Sequence, residues 1–236
     1  MALRVRFLNE IEKLKKRAVE LGTLVEERFL MAVKSIETRD VELAGKVVTG
    51  DIEIDQLEVD LEEECLKILA LHQPVADNLR FIVAVLKLNN DLERIGDLAS
   101  NIAEHTAAIA SRKEIRIPYD FFVMFQKVQN MLKESLDALV NMDVDIAYQV
   151  CVLDDEVDYL KRAMQERFIQ KVRSSPDEID GWVHLFLTSR HLERISDHAT
   201  NIAEDVIYSV TGRIHRHRGR EFAQEGEGVE APPAGV

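Results

Sequence analysis

One stretch of this chain occurs twice, and the repeat constrains the fold more than any other feature. Leu92-Glu93-Arg94-Ile95-Gly96-Asp97-Leu98-Ala99-Ser100-Asn101-Ile102-Ala103-Glu104 is matched at 10 of 13 positions by Leu192-Glu193-Arg194-Ile195-Ser196-Asp197-His198-Ala199-Thr200-Asn201-Ile202-Ala203-Glu204. The copies lie 100 residues apart, far beyond a solenoid period and about the length of a small domain, so the chain reads as a tandem duplication. Each copy carries carboxylates at i and i+4, Glu93 with Asp97 and Glu193 with Asp197.

The surrounding pattern is helical. Phe7, Ile11, Leu14, Ala18, Leu21, Val25, Phe29 and Ala32 alternate spacings of three and four, which predicts a first bundle helix over about 7–36. Asp40 is the expected N-cap of a second helix reaching about Leu71, and Pro74 is expected in the first turn of a third that runs to about Arg112. Periodicity lapses over 111–118 and then the plan restarts. A fourth helix is predicted over about 121–140, and Asp143 caps a fifth. Its opening, Val144-Asp145-Ile146-Ala147, answers Val41-Glu42-Leu43-Ala44 at an offset of 103. Ser175-Pro176-Asp177-Glu178 places cap, proline and acidic first turn in the favoured order for a sixth helix, with Gly212 as its C-terminal cap.

The expected fold is therefore all-α, two tandem three-helix bundles over 1–113 and 118–213, with room for two modest cores. Residues 214–236, which begin with basic and His-containing sequence and end Gly-, Glu- and Pro-rich, read as a solvated, disordered tail. Strand alternation and Gly-rich phosphate loops are both missing from the pattern, so nucleotide-dependent catalysis has no foothold and the chain is not read as an enzyme.

Charge and composition narrow the partners. A formal net charge of −13 argues against nucleic acid, whose phosphates are bound by clustered Lys and Arg. The start of the chain shows no leader-like apolar stretch, and the longest apolar run, 81–86, falls far short of the roughly 20 residues needed to cross a bilayer. A cytoplasmic protein is expected, with at most peripheral membrane association through the basic run after Gly212. Cys65 and Cys151 lack metal-ligand spacing and read as reduced core thiols.

The carboxylates are the distinctive chemistry. At 100° per residue, with Glu93 at the origin, Asp97 falls at about 40°, Asn101 at about 80° and Glu104 at about 20°, while Ile95, Leu98, Ala99 and Ile102 occupy the opposite side. Glu193, Asp197, Asn201 and Glu204 repeat the arrangement. On the second helix Asp51, Asp55, Glu58 and Glu62 form another acidic stripe. The fifth keeps only Asp154 and Asp158, with Lys161 and Gln165 at the remaining positions. Like charges at i, i+4 repel, whereas an ordinary solvated face mixes signs. Oxygen donors from two neighbouring helices suit hard or borderline cations such as iron, manganese, magnesium or calcium. His198 and His191 are further candidates, without counterparts in the first half. Two other readings stand beside metal binding: a metal-independent helical scaffold with solvated acidic faces, and a di-metal oxygen-handling enzyme. The latter class uses Glu-x-x-His, which this chain lacks.

His72-Gln73-Pro74-Val75-Ala76-Asp77-Asn78-Leu79-Arg80-Phe81, followed by the two copies of the repeated motif, resembles the PhoU family of phosphate-signalling regulators over about 7–213. The resemblance implies a cytosolic negative regulator of phosphate uptake and phosphate-starvation signalling. Its implied partners are the ATPase of a phosphate ABC transporter and a sensor histidine kinase, and it implies a homodimer. It also implies divalent or trivalent metal ions, whether iron, zinc, manganese or magnesium, on the paired motifs Glu93 with Asp97 and Glu193 with Asp197. Asn78 stands where the family often has Asp, and Ser196 replaces the glycine of the first copy. The loss of counterparts to Glu58 and Glu62 leads to an expectation of fewer ligands in the second half.

Overall fold

A computed structural model of the chain describes residues 2–112 and 115–212. Six helices follow in order: α1 Ala2–Thr38, α2 Val41–His72, α3 Ala76–Ala110, α4 Tyr119–Asn141, α5 Val144–Ser174 and α6 Ile179–Thr211. A 3-10 turn, Pro176–Glu178, precedes α6. No strand occurs among the described residues. The tail assigned to 214–236 lies outside them.

The duplication reappears in the turns. Arg39 and Met142, again 103 apart, both take left-handed backbone angles, φ 58° and 52°. Asp40 N–H then donates to Ser35 O and Asp143 N–H to Ala138 O, each at 2.9 Å, so both turns close the preceding helix in the same way. The cap carboxylates act as expected: Asp40 accepts from the Leu43 N–H, Asp143 from those of Asp145 and Ile146. Gly212 closes α6 at φ 70°.

Two boundaries differ from expectation. Pro74 lies in the link before α3, not in its first turn, because Gln73 leaves α2 with a left-handed φ of 44° and extended Val75 is the N-cap. A proline disfavours helical geometry at the residue before it, which ends α2 there. Ser175 makes no side-chain cap bond, and Pro176 starts a 3-10 turn instead of the sixth α-helix.

α1, α2 and α3 pack together, as do α4, α5 and α6, but α3 also lies along α6 and α1 touches α4. The pairs Arg80 with Ser209, Lys87 with Asp205, Asp91 with His198 and His105 with His184 run in opposite senses along the two helices, so α3 and α6 are antiparallel. The buried side chains of both halves form one cluster, and Phe29 of α1 meets Phe125 of α4 with ring centroids 5.4 Å apart. The two cores expected from length are thus one continuous core, because the apolar faces of α3 and α6 are wide enough to serve their own bundle and the seam. Cys65 and Cys151 are free and buried, and burial pushes both thiols up to about 12.

The link between halves is anchored. Ile115 is buried, and the Arg39 guanidinium donates to the carbonyls of Ile109, Arg112 and Ile115. Arg39→Ala would leave these acceptors short of a charged donor, and a loss of about 2–4 kcal/mol is expected in urea unfolding.

Candidate metal centres

α2 and α3 bring one acidic group together, α5 and α6 the other. In the first half, burial and then repulsion from Asp97 and Asp55 raise Asp51 above the ordinary aspartate range, opposed by a hydrogen bond from Ser100 and by Arg28. Burial also raises Glu93, with Asp97 repelling it, Arg94 counteracting, and Asp55 and Glu58 adding to the repulsion. Glu58 is raised by burial, then by Glu62 and Asp55. Asp51, Asp55 and Glu58 of α2 therefore face Glu93 and Asp97 of α3, with exposed Glu62 beside Glu58 as the sixth carboxylate.

Close approach of these helices depends on Gly96. A Cβ there would come within 3.0 Å of Ile54 Cδ1 and 3.5 Å of Asp51 Oδ1. The second half solves the same contact differently: Ser196 donates its hydroxyl to Glu193 O at 2.6 Å, with Asp154 competing for the same proton.

The second acidic group is smaller and more strongly perturbed. Burial, then Asp197 and Asp158, pushes Asp154 up to about 6 against the Ser196 hydrogen bond. Asp197 is also pushed up to about 6, by burial and then by Glu193 and Asp158, with His198 and Lys161 opposing. Its outer edge remains in contact with solvent, so screening moderates that repulsion. Lys161, at the position of Glu58, donates to Glu193 at 2.9 Å. One half thus holds six carboxylates and the other four with a built-in cation.

Other candidates fall elsewhere. His198 Nδ1 lies 2.8 Å from Asp91 across the α3–α6 seam, and Asn201 reaches the same carboxylate at 3.4 Å. His191 stacks on His105 at the seam, with centroids 5.5 Å apart. All three address the neighbouring half instead of α5, for the seam side of α6 is separate from its acidic side. Asn101 is half-buried and makes no hydrogen bond to the acidic group among the described residues. Sequence reasoning missed Asn89, which donates from buried Nδ2 to Glu58 O at 2.9 Å and Glu58 Oε1 at 3.1 Å. Its signal was a polar residue in the apolar register of α3, one residue after Leu88.

The donors fit a hard cation in kind: carboxylates on two helices, several with their proton affinity raised by burial and mutual repulsion. Their present arrangement is not that of a formed metal shell. Among the described residues no three carboxylate, imidazole or thiolate groups converge as they do around an ion. Arg94 lies against Glu93 at 3.3 Å and Asp97 at 3.1 Å, largely in solvent where such pairs are weak.

Comparison with known proteins matches this duplicated architecture throughout. The PhoU domain model matches twice, at 18–106 and 123–206. The phosphate-specific transport system accessory protein PhoU homolog 1 of Thermotoga maritima is 34% identical over 225 residues, 94% of this chain and 97% of that protein. The PhoU homolog of Aquifex aeolicus is 36% identical over 214 residues, 91% of this chain and 97% of its own length. The crystal structure of PhoU from Pseudomonas aeruginosa superposes with a TM-score of 0.85 at 36% identity, covering 88% of this chain and all (100%) of that one. A repeated helical domain, matching in sequence and in three dimensions along nearly its whole length, places the chain in the PhoU family.

Proposed function

We propose that this chain is a metal-binding regulator accessory to phosphate-specific transport, acting in the cytoplasm as a negative regulator of phosphate uptake and phosphate-starvation signalling. Near full-length likeness to proteins named as accessories of that transport system carries the reading. Among the described residues no helix is long and apolar enough to cross a membrane, which agrees with an adaptor that meets membrane partners from one side. Those partners are the ATPase of the phosphate transporter and a sensor histidine kinase, engaged by a homodimer.

Glu93 and Asp97 with Asp51 and Asp55, and Glu193 and Asp197 with Asp154 and Asp158, would hold iron, manganese, magnesium or zinc. The bound ion supplies positive charge that relieves the repulsion within each acidic face. Glu58 joins the first set, whereas Lys161 takes its place in the second, so the two centres differ in ligand number.

Protein purified without chelators is expected to carry more than one metal ion per chain by elemental analysis, and Asp97→Asn with Asp197→Asn to lose them while retaining its circular dichroism. Metal-free wild-type protein, with no melting shift on adding these ions, would favour the metal-independent scaffold. Capture of the transporter ATPase and the kinase tests the regulatory part separately.

A further inference from the structure

Away from both acidic faces, the junction between the halves forms a cleft of about 410 Å³ lined by Arg116, Ile117, Pro118, Arg167, Lys171, Glu178 and Trp182. Three cations and one carboxylate line it in a chain whose net charge is −13. The link supplies Arg116, α5 supplies Arg167 and Lys171, and the start of α6 supplies Trp182, so the convergence is a product of folding.

The cations are available to a ligand. Arg116 is exposed and has no acidic partner among the described residues. Arg167 pairs with Asp120 at 2.6 Å, but both side chains reach solvent, where such a pair contributes little. Lys171 is 3.3 Å from Glu178, a long contact, and Glu178 is also held by the Trp182 indole N–H at 3.1 Å. That hydrogen bond, followed by the one from Lys171, keeps Glu178 below its ordinary value.

The backbone adds to the field. α4 begins at the cleft with Pro118 as N-cap and α6 with Glu178 as N-cap, and neither has a side-chain cap bond. Phe121 N–H turns back to Pro118 O and Ile179 N–H to Pro176 O, so what the two helix starts add to the cleft is the positive end of each helix.

We infer that this cleft binds a phosphoryl-bearing anion. Two guanidinium forks match paired phosphoryl oxygens, and the lysine supplies a third donor. Ile117, Pro118 and the largely buried Trp182 form an apolar wall that an organic body would cover, and the volume lies within the range of small-molecule sites. The ligand is free phosphate or a phosphorylated small molecule, sharing the recognised group. Such a site would give the proposed regulator a direct chemical input; that consequence rests on the regulatory reading, whereas the binding does not.

Trp182 is the only tryptophan, so its emission reports on the cleft without a label. Titration of the full chain with inorganic phosphate and with adenosine diphosphate, checked by calorimetry, should give a saturable change with a dissociation constant below about 1 mM for at least one of them. Arg116→Gln with Arg167→Gln should weaken it at least tenfold, while Lys13→Gln with Lys16→Gln, the same charge change on exposed α1 positions, should not. Binding of the diphosphate at least tenfold more tightly than phosphate identifies a phosphorylated organic ligand; the reverse order or equality identifies phosphate itself. No saturable signal up to about 10 mM, equal binding by the Arg116 and Arg167 double variant, or sulfate and citrate matching both compounds overturns the inference.

Discussion

Asp154→Asn is expected to make the metal-free protein more stable at pH 7 and the metal-loaded protein less so. Burial and the neighbouring Asp197 and Asp158 push Asp154 up to about 6, so at pH 7 it is ionised at a cost the unfolded chain does not bear. A shift of that size converts to about 3 kcal/mol, and partial solvation reduces the expected gain to about 1–2 kcal/mol, a rise of about 3–6 °C in melting temperature. Asparagine can still accept the Ser196 hydrogen bond. With metal at a hundredfold above its dissociation constant, wild type gains about 2.7 kcal/mol and the variant much less, so their order of stability reverses. A purely solvated acidic face predicts no reversal.

The pH dependence follows from the same linkage. A carboxyl raised in the folded state retains a proton that the unfolded chain has released. Its relative stabilisation is therefore full below about pH 4 and is lost as the pH rises through about 6. His105 acts oppositely: burial, then His191 and His184, lowers it to about 4. Its contribution is full above about pH 6.5 and lost as the pH falls towards about 4. Subtracting the variant's profile from that of wild type cancels the histidine and leaves Asp154 together with its coupling to Asp197. Metal affinity should rise with pH through about 6 as the ion ceases to compete with protons.

Phe29→Ala is expected to produce the largest loss. Phe29 is fully buried in α1 and meets Phe125 of α4 across the halves. Such a truncation costs about 3–5 kcal/mol, and at about 2–4 °C per kcal/mol the melting temperature should fall by about 10 °C. Because one core runs through both bundles, Trp182 emission, which reports on α6, should shift with the circular dichroism in a single transition. A split transition, with Trp182 unaffected, would show that the halves unfold independently despite their shared seam.

The metal reading differs from a count of acidic residues in what it demands of the neighbours. Asp97 of α3 raises Asp51 of α2, and Asp55 and Glu58 of α2 raise Glu93 of α3, which separate solvated faces do not do. Lys161 on Glu193 and Arg94 on Glu93 and Asp97 show the same negative potential already drawing the nearest cations. Lys161 is built into the second centre, and this asymmetry between otherwise duplicated halves predicts two classes of metal site.

Local physics was legible in the sequence. Asp40 and Asp143 had to cap helices because a short carboxylate before an apolar period satisfies free N–H groups, and Glu93 had to share a face with Asp97 because four residues make about one turn. The duplication implied that one solution to these constraints was used twice, and the matching turns at Arg39 and Met142 bear that out. A helical wheel, however, gives angles about one axis and is silent on which neighbour each angle meets. Tertiary structure alone decided that His198 and Asn201 turn to Asp91 across the seam, that Asn89 reaches Glu58, and that Arg116, Arg167, Lys171 and Trp182, far apart in the chain, line one cleft. It also merged the two expected cores, since α3 and α6 pack along each other and join the buried side chains of both bundles in one cluster.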